Sequence, residues 1–157
     1  MYLLIKRFVS TELTLIDDWK NTNCIIHGAL SINGLAALTS NLFATNVMHY
    51  FWFFVLGLLV AVGGLEVLRA YKRVKTHGFK RGIWVYHTSQ WSRNFTFGMF
   101  FAFSLALTVN SNYNLPTWLT QFEHWMLSFW AYVVLISLLV EIWLFVDHKL
   151  KSEHVAY

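Results

Sequence analysis

Two glutamates and two histidines are the residues whose placement could do chemistry. Glu66 and Glu141 stand inside or at the edge of long apolar runs. A carboxylate at mid-membrane costs about 2.5 to 3.5 kcal/mol even on the lenient insertion scale, so each needs a counter-charge, a proton or water. Glu66 has Arg69 three positions on; the two can pair along one helix while the arginine snorkels toward the headgroups. Glu141 has only Ser137, Leu138, Leu144 and Phe145 at three and four positions. It is therefore expected to bond to a basic or polar group on another helix, Arg69 or Arg93, with a proton or ion site and a contact to a partner chain as alternatives.

Histidine raises a redox reading. A b-type haem held by two imidazoles needs them on different helices at one depth, facing inward, and His49 with His124 is the pair that fits. His27, His87 and His148 belong to the other end. All five stand at the ends of apolar runs, where a hydrated histidine costs little, so no cofactor is expected and haem b or quinone is the alternative. The chain lacks His-x-x-x-His, Glu-x-x-His and His-Glu-x-x-His spacings, phosphate-cradling glycine loops and nucleophile elbows. That removes the diiron, zinc-hydrolase and nucleotide-binding classes, and no catalytic residue or metal site is expected. Cys24 is the single cysteine and cannot form an internal disulfide or a cysteine metal cluster.

The elements that carry these residues follow from the charges. Of 157 residues 57% are hydrophobic and 13% charged, against about 25% charged in soluble domains. No charge falls between Asn21 and Leu65, between Asn94 and Phe122, or between His124 and Val140. A crossing needs roughly 20 apolar residues, which places transmembrane segments over 24–44, 48–68, 94–111 and 124–146. The first is the least apolar, interrupted by His27, Asn33, Thr39, Ser40 and Asn41.

Orientation follows the excess of Lys and Arg on the inner side. Seven of the twelve basic residues, including Arg69, Lys72, Arg73, Lys75, Lys80 and Arg81, lie in 69–93, read as an inner loop whose charges set topology and meet anionic headgroups. The connection 112–123 has no Lys or Arg and is placed outside, and the tail 147–157 returns inside. Four crossings put both termini in the cytoplasm or matrix; three would expose Lys6, Arg7 and Lys20. Ahead of them, 1–20 repeats Ile5, Phe8, Val9, Leu13, Ile16 and Trp19 at helical spacing, the pattern of an amphipathic helix lying in the interface. Its acidic residues and lack of a small-residue cleavage site argue against a targeting peptide.

Helix pairs in lipid approach closely through small residues four apart. Gly57 and Ala61 form one such row, Gly98, Ala102 and Ala106 a second, and Ala29, Asn33 and Ala37 a third, small and polar. On the last span Ser128, Ala131, Leu135, Leu138 and Glu141 mark the inward face. Tyr50, Trp52, Trp84, Trp91, Trp118, Trp125 and Trp143 are expected as interfacial anchors. The expectation is an all-α, polytopic membrane domain over 1–157, with four transmembrane helices behind an amphipathic interfacial one. It reads as a non-catalytic subunit of a larger complex in a bacterial or mitochondrial inner membrane. Its partners would be anionic lipid and other membrane subunits, not nucleic acid; a redox anchor and a small transport or immunity-like protein are the alternatives.

Overall fold

The computed structural model describes residues 21–110, 112–113 and 116–153; the amphipathic helix expected over 1–20 and residues 154–157 of the tail lie outside them. The described residues form α1 (Ile25–Thr39), α2 (Thr45–Gly82), α3 (Trp91–Val109) and α4 (Thr117–Glu153), with 3-10 turns at Asn21–Cys24 and Thr88–Gln90. Among the described residues there is no strand.

Two of these helices, over Thr45–Lys80 and Thr117–Lys151, are long and apolar enough to cross a membrane. Only 22% and 11% of their most apolar windows are buried inside the protein, whereas an apolar helix of a soluble core is mostly covered. Val60, Val67, Ile136, Leu139 and Trp143 stand bare on them. At 15 residues α1 rises about 22 Å, short of a 30 Å hydrocarbon core. The 19-residue α3 carries Arg93, Asn94, Thr96, Ser104 and Thr108 and is less apolar than those two.

The helices also run past the apolar segments. Residues 69–82, expected as loop, continue α2, because Arg, Lys, Ala and Tyr sustain a helix and long basic side chains reach water from it. Gly78 breaks the ladder at φ +76, a left-handed conformation open to glycine, and the chain folds back. A Cβ on Gly82 would lie 3.0 Å from the Arg73 carbonyl. Residues 117–123, expected in the outer connection, are the first turns of α4, started by Pro116, whose carbonyl accepts the Leu119 and Thr120 amides. Residues 147–153 extend its far end, with Lys151 paired to Asp147.

Packing is set by α1 against α3. The two run side by side in the same direction, and α1 presents glycine where α3 presents bulk. A Cβ on Gly28 would stand 2.3 Å from Thr96 Cγ2, and one on Gly34 2.5 Å from Phe103 Cζ. This is small-residue packing, but not through the rows expected. Asn33 and Ala29 are exposed, Gly57 and Ala61 lie on the outer side of α2, and Ala102 and Ala106 are only half-buried. Gly57 and Gly98 have open space where a Cβ would go. The reason is one of register: on α1 the glycines face the neighbour, and of the alanine and asparagine stripe only Ala37 is buried.

Around that pair, α2 joins through aromatic side chains. Trp52, expected at the interface, is fully buried; its Nε1–H donates to Ser104 Oγ at 2.9 Å, its ring stacks on Phe100, and the edge of Phe122 meets it. On α4 the inward face is Leu119, Glu123, Met126, Leu127, Glu141 and Leu144. Ser128, Ala131, Leu135 and Leu138 are exposed, because the side of α4 that meets α3 is the one carrying Met126, Leu127 and Trp130. Trp130 fixes the register by donating from Nε1 to the Phe97 carbonyl at 3.3 Å.

At the end away from the arginines, α1 closes with a Schellman motif. Asn41 takes φ +47, Leu42 N–H reaches the Ala37 carbonyl and Asn41 N–H the Leu38 carbonyl. Asn112 donates to Asn41 Oδ1 at 3.0 Å and Tyr113 to the Phe43 carbonyl at 3.2 Å. The two connections at this end are thereby tied together.

This packing makes a glycine-by-glycine prediction. Gly34→Leu has no room at Phe103 and should cost at least the ~1–3 kcal/mol of an overpacked core. It should appear as lost monodisperse yield or a lowered Tm in detergent. Gly63→Leu, which meets open space, should leave both unchanged; equal losses would contradict the α1–α3 contact.

Candidate functional site

The polar groups gather at one end of the bundle. Glu66 on α2 meets Arg93 at the start of α3, with Oε2 3.2 Å from Nη2, and Arg69 on its own helix at 4.0 Å. The expected local pair therefore exists, but the closer partner comes from another helix. Cys24 is buried beside this group, its thiol within hydrogen-bonding reach of Ser92 and Thr96. Thr96 in turn donates to the Arg93 carbonyl at 2.9 Å. The arrangement locks the starts of α1 and α3 to the middle of α2.

The connection into α3 is built by side chains capping backbone. His87 Nδ1 accepts the Ser89 amide at 3.2 Å, and Gln90 Oε1 accepts the His87 amide at 3.1 Å, a reciprocal capping box. Gln90 also donates to the Val85 carbonyl. Trp91 Nε1–H donates to Tyr86 Oη, and the Tyr86 ring lies against Phe145 and His148 of α4. This connection, α2 and α3 enclose a cleft of about 350 Å³, lined by Gly63, Glu66, Arg69, Arg73, Arg93 and Phe97 among others.

Three buried ionisable groups stand apart from the ion pair. Glu141 is 5% exposed; it feels the charge of Arg93, yet among the described residues its Oε1 has no hydrogen-bond partner. The direct bond expected to Arg69 or Arg93 is not formed among the described residues; the carboxylate that Arg93 pairs with is Glu66. Glu123 is wholly buried, and neither of its oxygens has a hydrogen-bond partner among the described residues. His27 is likewise buried, its ring 6.3 Å from that of Phe97, with both nitrogens unpartnered in the same sense. Buried polar groups without bonds are costly and in a membrane interior are functional candidates.

Glu123 and His27 were not singled out from sequence as interior groups. A signal for Glu123 exists: it precedes Glu141 by 18 positions, five whole turns at 3.6 residues per turn, so one face of α4 carries both. The proposed histidine pair fares differently. His49 is half-buried and His124 is exposed beside the buried Glu123. Among the described residues no three His, Cys, Asp or Glu side chains are gathered so as to hold a metal ion.

The remaining basic residues divide. Lys72, Lys75 and Lys80 are exposed, as headgroup-facing residues are, whereas Arg69, Arg73 and Arg93 turn into the cleft; the side chain of Arg81 lies outside the described residues.

No known family model matches this chain, and neither a curated protein nor a solved structure shows significant similarity to it. The chemistry available is therefore that of the side chains themselves. The basic end offers guanidinium groups beside one carboxylate, suited to holding an anion or ordering helices, and His87 Nδ1 there lies 2.7 Å from Ser89 Oγ within the capping box.

The geometry reverses the ranking of the two glutamates that local sequence suggests. Glu66→Gln breaks an interhelical pair at the edge of burial and should cost about 1–3 kcal/mol, with a double-mutant cycle against Arg93→Gln returning most of it as coupling. Glu141→Gln should be the milder change, since little is bonded to that carboxylate. Denaturation in mixed micelles measures both, and a coupling near zero would remove the pair from the account.

Proposed function

We propose that this chain is a non-catalytic integral-membrane subunit that crosses the bilayer four times, with both termini on the cytoplasmic or matrix side. It supplies packing surfaces and lipid contacts to a larger assembly in a bacterial or mitochondrial inner membrane. The observation that carries this reading is the bare small-residue face of α2. Gly57, Ala61 and Gly64 lie along one exposed line, and a Cβ on either glycine would meet nothing within 4 Å.

In lipid there is no hydrophobic force between helices, so a row of small residues contributes only when another backbone comes close enough to use it. Inside the protein the corresponding contact is made by Gly28 and Gly34; the α2 row has no such use there. Asn33, exposed on α1, supports the same reading, because an amide facing hydrocarbon is costly and one facing a partner helix can bond to it. The short α1 and the polar α3 cross by sheltering against α2 and α4, with His27, Ser31, Thr96 and Ser104 facing protein.

Ala61→Leu tests this directly. The variant should keep the Tm of the parent while the native assembly, sized in mild detergent from its own membrane, falls by several-fold toward the mass of the isolated chain. An 18.4 kDa protomer that already runs alone in its detergent belt, unaltered by the substitution, would sink the proposal.

A further inference from the structure

Among the described residues, the lining of the cleft at the basic end carries more positive than negative charge. Three guanidinium groups, Arg69, Arg73 and Arg93, line it with one carboxylate among the described residues, that of Glu66. Glu141 reaches Arg93 with its field from α4 but is not part of the lining. Arg93 Nε is buried and has no hydrogen-bond partner among the described residues, and Arg73 lies half-buried near enough to Arg69 to oppose its charge. Like charges crowded in a partly desolvated cleft are unfavourable unless an anion enters.

The other walls are apolar. Gly63, Val67 and Ala70 of α2, with Ile83 and Phe97, complete the lining. Val67 is 69% exposed, so the cleft opens sideways, onto the surface that faces lipid if α2 crosses a membrane. The fold-back at Gly78 and the seat of Gly82 on Arg73 form its roof. Gln90, also in the lining, has its amide committed to His87 and Val85, and so shapes the site without offering a bond.

We propose that this cleft binds the phosphodiester headgroup of an anionic phospholipid. The phosphate lies among Arg69, Arg73 and Arg93, and an acyl chain descends along Gly63 and Val67. Planar guanidinium groups match phosphate oxygens in pairs, and basic pockets between helices at the inner face are where acidic headgroups are held. A volume of about 350 Å³ suits a glycerophosphate group and excludes a whole lipid, leaving the tails outside. The inference rests on the membrane reading of α2 and not on any partner subunit.

The test uses the full chain purified in neutral detergent, with phosphatidylglycerol, phosphatidylcholine and inorganic phosphate as probes, read by native mass spectrometry and by thermal shift. Phosphatidylglycerol should be retained and should raise Tm, with phosphatidylcholine at least fivefold weaker. Arg73→Gln should weaken phosphatidylglycerol about fivefold or more, the effect of one basic group. Lys72→Gln, an equal loss of charge one position outside the cleft, should do little. Gly63→Leu fills the apolar side without touching charge and should weaken the lipid while leaving the unliganded Tm unchanged.

Equal losses for Arg73→Gln and Lys72→Gln would mean diffuse surface attraction and overturn the site. Inorganic phosphate matching the lipid would assign the cleft to a free anion and overturn the headgroup. If neither anion binds while Ala61→Leu still shrinks the native assembly, this inference fails and the subunit reading stands.

Discussion

The close approach of α1 to α3 is the constraint on which the rest of the arrangement depends. Gly28 against Thr96 and Gly34 against Phe103 leave no room for a methyl group, so these two helices have one register. That register brings Cys24 to Ser92 and Thr96 at one end and Asn110 to Leu38 at the other. It also turns Phe100 and Ser104 toward Trp52 and Phe103 toward Phe51, and so fixes where α2 docks. Helix α4 is then placed on the far side of α3 by Trp130 and the Phe97 carbonyl.

The two halves of the bundle are held by different forces. Away from the arginines the core is dense and apolar, with Leu38, Met48, Trp52, Phe103, Leu107 and Leu119 buried together, and dispersion between close-packed side chains supplies the cohesion. At the basic end the apolar cluster shrinks to Cys24 and Val62, with Leu65 packed on it, and an ion pair spanning two helices takes over. Fewer apolar contacts there leave space, and that space is the arginine-lined cleft. The chemistry of the protein and the thin part of its core coincide for this reason.

The outward surfaces complete the proposed role. Long apolar faces on α2 and α4 suit acyl chains, while the bare glycine line on α2 and the exposed Asn33 suit another helix. Glu123 and His27, buried without bonds among the described residues, give the interior a polar content that packing alone does not explain.

Much of the architecture is legible in the sequence because it rests on composition and charge placement, which are one-dimensional. The all-helical character, the apolar stretches now in α2 and α4, the basic cluster that follows the first of them, and the local Glu66–Arg69 pair all follow from residue type and spacing. Helix ends are less legible, since basic residues continue a helix as readily as they leave one. What the tertiary structure alone decided is which face of each helix is inside. It chose Gly28 and Gly34 over the Asn33 stripe, put Trp52 in the core, turned Glu123 rather than His124 inward, and gave Glu66 rather than Glu141 the direct bond to Arg93. In an apolar chain most faces are equally fit for lipid, so hydrophobic periodicity carries little information about burial. Steric fit between particular side chains on different helices settles it, and that fit exists only once the helices have met.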